Sequence, residues 1–170
     1  MTQSKKFYGK YRGVVTNNVD PESRGRILVQ VSDAIGFVPS TWCMPCVPFA
    51  GLGSGFYSVP MVGSGVWIEF EHGDVSKPIW VGGWWGSAVE VPKLGLAQAL
   101  PVSPNIALTT PAQSTVAISD VPGVGITLMT SRGAMLVMND AGIFLSNGKG
   151  ATIMLAGNAV TVNAGALVVT

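Results

Sequence analysis

Hydrophobic residues recur at every second position in this chain, in short runs cut by glycine, proline and asparagine. Alternation of that kind predicts half-buried strands rather than helices. In the N-terminal half, "YRGVVTNNV" leads into an Asp20-Pro21 turn, and "RGRILVQVS" then sets Ile27, Val29 and Val31 on one face. "STWCMPCVPFA" is interrupted by Pro45 and Pro48 and fits an edge or a loop. "GVWIEFEH" puts Val66, Ile68 and Phe70 on one face and Trp67, Glu69 and Glu71 on the other. After a His72-Gly73-Asp74 turn, "KPIWVGGWW" returns beside it. Four or five short strands in about 80 residues, without a helical period, predict a small closed or partly closed barrel.

The C-terminal part repeats a simpler unit. Apolar pairs stand at Ile126/Leu128, Leu136/Met138, Ile143/Leu145, Ile153/Leu155, Val160/Val162 and Leu167/Val169, with glycine-containing turns between them and first members spaced 10, 7, 10, 7 and 7 residues apart. Regular short strands with almost no helix former predict a repetitive β structure. Each strand offers two or three inward apolar side chains, roughly 3–6 kcal/mol of burial. Ordering its residues costs more, at about 1–2 kcal/mol each. A lone ribbon also has unpaired edges. Three ribbons wound about one axis would pair those edges and share a dry core, so an intertwined trimer is expected. A solenoid coiled within one chain is the alternative, although its rungs normally run to about 20 residues or more. With the named pairs inward, Met129, Met135, Val137, Phe144 and Met154 face outward. Either some strands have the opposite phase, or the outer face tolerates apolar surroundings such as a bilayer.

Charge sharpens the division. Of the charged residues, fifteen lie in positions 1–93 and four (Asp120, Arg132, Asp140, Lys149) in the rest. All five tryptophans and all three tyrosines also belong to the first region. Residues 1–88 are therefore read as a barrel with a short N-terminal extension, 89–123 as a proline-rich connector with one helical turn near Leu94 to Leu100, and 124–170 as the repetitive part. Pro92, Pro101, Pro104, Pro111 and Pro122 punctuate the connector.

Charged residues make up only 11% of the chain, against about 25% in an average domain. A surface this poor in charge is expected to be covered by partners. The net charge of +1 supplies none of the basic excess that backbone binding to nucleic acid demands. No signal-peptide core and no membrane-spanning run is present, so assembly in a cytoplasm is expected. Cys43, Cys46 and the sole histidine, His72, fall short of a zinc ligand set, and both cysteines are expected to act as small buried hydrophobes. With one histidine, scattered carboxylates and no nucleophile motif, neither catalysis nor a cofactor is expected. The rival reading is a binding module for single-stranded nucleic acid or oligosaccharide, using Tyr8, Tyr11, Phe37, Trp42, Phe56 and Tyr57 as platforms. Its cations would be Lys5, Lys6, Lys10, Arg12, Arg24 and Arg26, which acids elsewhere offset.

Three stretches, "GVVTNNVDPESRGRILVQV", "WCMPCVPFAGLGSGFYSVPMVGSGVWIEF" and "HGDVSKPIWVGGWW", occur in one order. Within them Gly13, Asp20, Pro21, Gly25 and Arg26 come first, then Trp42, Pro48, Ala50 and Gly51. Pro60, Gly63, Val66, Phe70, Gly73, Asp74, Lys77, Pro78 and Gly82 complete the series. Over residues 8 to 86 this resembles the OB-fold domain of contractile-injection spikes, the family of the phage baseplate assembly protein V, the spike hub of large myophages and the type VI secretion spike. The resemblance implies an all-β homotrimer, with an N-terminal OB barrel followed by an intertwined triple-stranded β-helix needle. It implies a mechanical part of a phage tail baseplate or an extracellular injection particle, which docks under the tail-tube hub and pierces the target cell envelope when the sheath contracts. Needle-core positions would be the six apolar pairs given above, with Trp84 and Trp85 filling the junction between barrel and needle or touching the hub. Unlike some members, the chain carries no lysozyme-like insertion and no terminal His-x-His metal point. A separate tip protein of the proline-alanine-alanine-arginine repeat class is therefore expected beyond "VNAGALVVT".

Overall fold

The computed structural model describes residues 5–92 and 105–169, and the chain divides into two units, Met1–Ala88 and Val89–Thr170. In the first, β1 (Tyr11–Asn17), β2 (Leu28–Gln30), β3 (Met44–Pro45), β6 (Gly65–Phe70) and β7 (Pro78–Trp84) form one sheet in the order β2-β1-β6-β7-β3. Neighbours are antiparallel except the edge strand β3, which runs parallel to β7. A separate two-stranded hairpin joins β4 (Ala50–Gly51) to β5 (Ser54–Gly55). This is a half-barrel, as the alternation predicts.

The core follows the period of two. Ile27, Val29 and Val31 are fully buried, as are Val15, Val66 and Ile68, with Phe70 and Trp80 beside them. A single helical turn, α1 (Ser32–Ile35), follows the second strand. Four residues are too few to leave a helical period, so the sequence did not announce it. The β6–β7 hairpin turns through His72 and Gly73, both with positive φ. A Cβ on Gly73 would stand 3.1 Å from the Tyr8 ring, and the Phe7 N–H donates to the Gly73 carbonyl at 3.0 Å. Only glycine accepts both the backbone angle and that close approach. The Asp74 carboxylate takes the Ser76 N–H and hydroxyl at 3.0 and 2.8 Å, closing the turn.

The second unit is a single eight-stranded sheet in which every strand pairs antiparallel with its neighbours in sequence. Its strands are β8 (Ile106–Thr109), β9 (Thr115–Ser119), β10 (Gly125–Met129), β11 (Met135–Asn139), β12 (Gly142–Ser146), β13 (Thr152–Ala156), β14 (Ala159–Val162) and β15 (Leu167–Val169). Two of these lie in the stretch read from sequence as connector. Pro111 and Pro122 occupy the turns on either side of β9 and leave the strands intact. The expected helical turn near Leu94 to Leu100, with Pro101 and Pro104, falls outside the described residues. The strand edges that argued for three intertwined ribbons are also satisfied differently, because each ribbon pairs its strands with one another. What remains unsatisfied is a face.

Candidate functional site

Directly opposed residues in an antiparallel sheet share a face, and the register gives that face a simple composition. One row runs Ile106, Ile118, Ile126, Met138, Ile143, Leu155, Val160, Val169 across all eight strands. Beside it runs Leu108, Val116, Leu128, Leu136, Leu145, Ile153, Val162, Leu167. The twelve positions singled out in the sequence all fall in these two rows, so the named pairs share one phase. The strands missed in the sequence extend both rows by Ile106, Leu108, Val116 and Ile118. No polar residue interrupts either row.

In the isolated chain this face is open. Ten of its side chains are exposed, from 38% at Leu155 to 64% at Ile106, and Leu136, Met138, Ile143, Val160 and Val162 are half-buried. A continuous apolar face of this size is rare on a soluble monomer and marks an interaction surface. The opposite face is mixed. Val137, Phe144 and Met154 form an apolar stretch of one row, Met129 pairs with Met135, and threonine, serine and alanine fill most of the rest. Thr115, Ala117 and Ser119 on that side are buried. Chemically, the C-terminal unit offers a surface for association.

The barrel unit holds the motif residues, and most of them have a structural task within it. Asp20 is the hub of its loop. Its carboxylate accepts the backbone N–H groups of Glu22, Arg24 and Arg26 at 3.0, 2.8 and 3.1 Å, and the Arg26 guanidinium at 3.0 and 2.7 Å. The charge-assisted bond from Arg26, joined by those three N–H groups, outweighs desolvation and holds the carboxyl well below the usual range. Arg26 also reaches Glu22 and lies over the Trp42 ring. Trp80 donates its indole N–H to the Gly25 carbonyl at 3.1 Å. One network thus joins Asp20, Gly25, Arg26 and Trp42 to the core.

Other motif positions serve the frame. A Cβ on Gly13 would meet Ile68 at 3.0 Å; Pro78 is fully buried. Pro60 accepts the Asn18 amide and Gly63 donates to Val15. Gly82 sits at the bulge in β7, where the pairing with β6 slips by one residue. Pro21, Pro48 and Gly51 are exposed. The cysteines differ from expectation. Cys43 is buried, with its thiol pushed up to about 11 by desolvation against a weaker bond to Ser40, whereas Cys46 is exposed because the edge strand between them turns it outward.

The two tryptophans part as well. Trp84 lies flat on Gly65, donates to the Val66 carbonyl at 3.2 Å and packs beside Trp67. Arg12 stands over both rings, 5.6 Å from Trp67 and 5.2 Å from Trp84. This cation–aromatic cluster was not read from the sequence, because its members come from three strands. Trp85 is 63% exposed. As for the rival binding surface, Arg24, Arg26 and Lys10 are paired with Glu22, Asp20 and Glu69, and Tyr11 packs on Phe7 and Phe70. A cavity of about 370 Å³ lies between the β4–β5 hairpin and Trp80, and Arg24 is its one charged lining residue.

Residues 11–85 match the family model of the type VI secretion system/phage-baseplate injector OB domain. Residues 105–168 match that of the phage baseplate V C-terminal trimerisation domain, a span that begins just before β8. No curated protein matches the chain.

Proposed function

The chain belongs to the phage baseplate V family, a family of structural baseplate proteins, and from that premise we propose that it forms the trimeric central spike of a contractile injection particle. Three copies bring the apolar faces of their C-terminal sheets together around one axis. The barrel end docks under the tail-tube hub, and sheath contraction drives the needle through the target envelope. A separate tip protein covers the far end, where β15 pairs only with β14 among the described strands. Trp85 is free to contact a neighbouring copy or the hub.

The observation that carries this reading is the unbroken pair of apolar rows. Folding one chain leaves them partly in water, and burying the rest of each side chain is worth a fraction of the roughly 1.5–3 kcal/mol of a full burial. Three faces meeting at an axis exclude that water. The match to a trimerisation domain supports three as the number.

Light scattering on the purified full chain, with heated and unheated lanes on a denaturing gel, tests it. A mass of three chains and a detergent-resistant band that collapses on boiling is expected. A stable, soluble monomer at micromolar concentration would sink the spike reading.

A further inference from the structure

Beyond position 93 the chain carries four charged side chains, and none lies on a strand. Asp120 belongs to the β9–β10 turn and Asp140 to the β11–β12 turn. Arg132 belongs to the β10–β11 turn and Lys149 to the β12–β13 turn. Successive turns of an antiparallel meander fall on alternate edges of the sheet. Both acids therefore line one edge and both bases line the other. All four are exposed, and among the described residues no ion pair within the chain engages any of them.

The trimeric reading above gives these edges a partner. When three sheets turn one face toward a shared axis, rotation brings the left edge of each against the right edge of the next, a head-to-tail contact that closes after three copies. We propose that the acidic edge of each copy docks on the basic edge of its neighbour, with Asp120 against Arg132 and Asp140 against Lys149. These contacts set the sense in which the strands incline to the needle axis.

The strand order makes the pairing specific. Each base stands one turn beyond its acid along the meander, so strands that climb along the axis by one strand spacing, about 4.8 Å, from one end to the other bring both pairs level at once while rotation keeps the three copies at one height. The opposite inclination would match only Asp140 with Arg132 and leave Asp120 and Lys149 without partners. One sense of inclination is thus favoured over the other. Exposed pairs of this kind are individually weak, and their larger effect is on which arrangement forms.

Charge reversals in the full chain test the proposal, read by the melting temperature of the detergent-resistant trimer at low salt. Asp120→Lys lowers it by a few degrees; adding Arg132→Asp restores it and adding Lys149→Asp does not. Asp140→Lys is restored by Lys149→Asp in preference to Arg132→Asp. Because Asp140 also accepts the Gly123 N–H at 3.0 Å, Asp140→Asn separates that loss from the charge effect. High salt shrinks all of these differences. Reversals without effect, or rescue by either base equally, overturn the edge pairing while the trimer stands. A wild-type mass of one chain overturns the trimeric reading and this proposal with it.

Discussion

Ile68 in the barrel unit has none of its surface exposed, while Leu145, on an equally regular strand of the C-terminal unit, keeps 40%. Each residue stands between an aromatic and a polar neighbour, Trp67 and Glu69 for Ile68 and Phe144 and Ser146 for Leu145, and both face the apolar side of an antiparallel sheet. The difference lies in what covers that side. The half-barrel curls β2, the segment around Cys43 and the N-terminal Phe7 over its own interior, so the first unit completes its core within the chain. The eight-stranded meander has no second layer among the described residues, and its core is half of something larger. One chain thus contains a self-sufficient unit and a unit that needs copies of itself.

Leu145→Asp should break that contrast most sharply. A carboxylate at a position that is 40% exposed in one chain would cost little if the chain acted alone. Around a shared axis it buries three unpaired charges, a loss on the order of 3–5 kcal/mol per copy. The expected result is loss of the trimer by light scattering while the barrel keeps its own cooperative unfolding transition; a surviving trimer would mean that this face is not the interface. Ile68→Ala is the converse. It should cost the barrel about 2–5 kcal/mol, seen as an earlier fluorescence transition, while the mass of the assembly stays the same. A transition that depends on protein concentration in the barrel and not in the sheet would reverse the assignment of the two units.

Acid should separate the units more gently. The Asp20 carboxyl is held below its ordinary value by Arg26 and backbone N–H groups, so its contribution is fully present at neutral pH. It is lost as the pH falls below about 4 toward the depressed value. The barrel's melting temperature should drop across that range, and Asp20→Asn should flatten the drop. A variant with the wild-type acid profile would show that the loop network does not hold the barrel. The smallest effect is expected from Trp85→Ala. With Trp84 committed to Gly65, Trp67 and Arg12, the exposed Trp85 is the one left for contacts between molecules, so its loss should reduce trimer yield or hub binding without shifting the barrel's own transition.

Much of this organisation was legible in the sequence because a strand's period of two is a local property. Val66, Ile68 and Phe70 reveal their face without reference to any other part of the chain, and so do the six apolar pairs from Ile126 to Val169. The two strands from Ile106 and Thr115 were missed for a different reason. Their alternation is as clear as that of the others, yet the surrounding prolines were weighed as strand breakers when they in fact mark turns. Asp20 stood out as a turn residue, but the convergence of three backbone N–H groups and a guanidinium on its carboxylate is a property of the folded loop. Arg12, Trp67 and Trp84 are farther apart still, and only strand register brings them together.

The alternation of turns along the meander restricts how such a unit can vary in length. Adding one strand would carry every later turn to the opposite edge, exchanging acids for bases along the seam. Adding a hairpin leaves each edge as it was. The spacings of 10 and 7 residues in this chain make that increment about 17 residues for about 10 Å of reach, so a needle of this design grows in whole links, and insertions or deletions that are not a full link are expected to be lost.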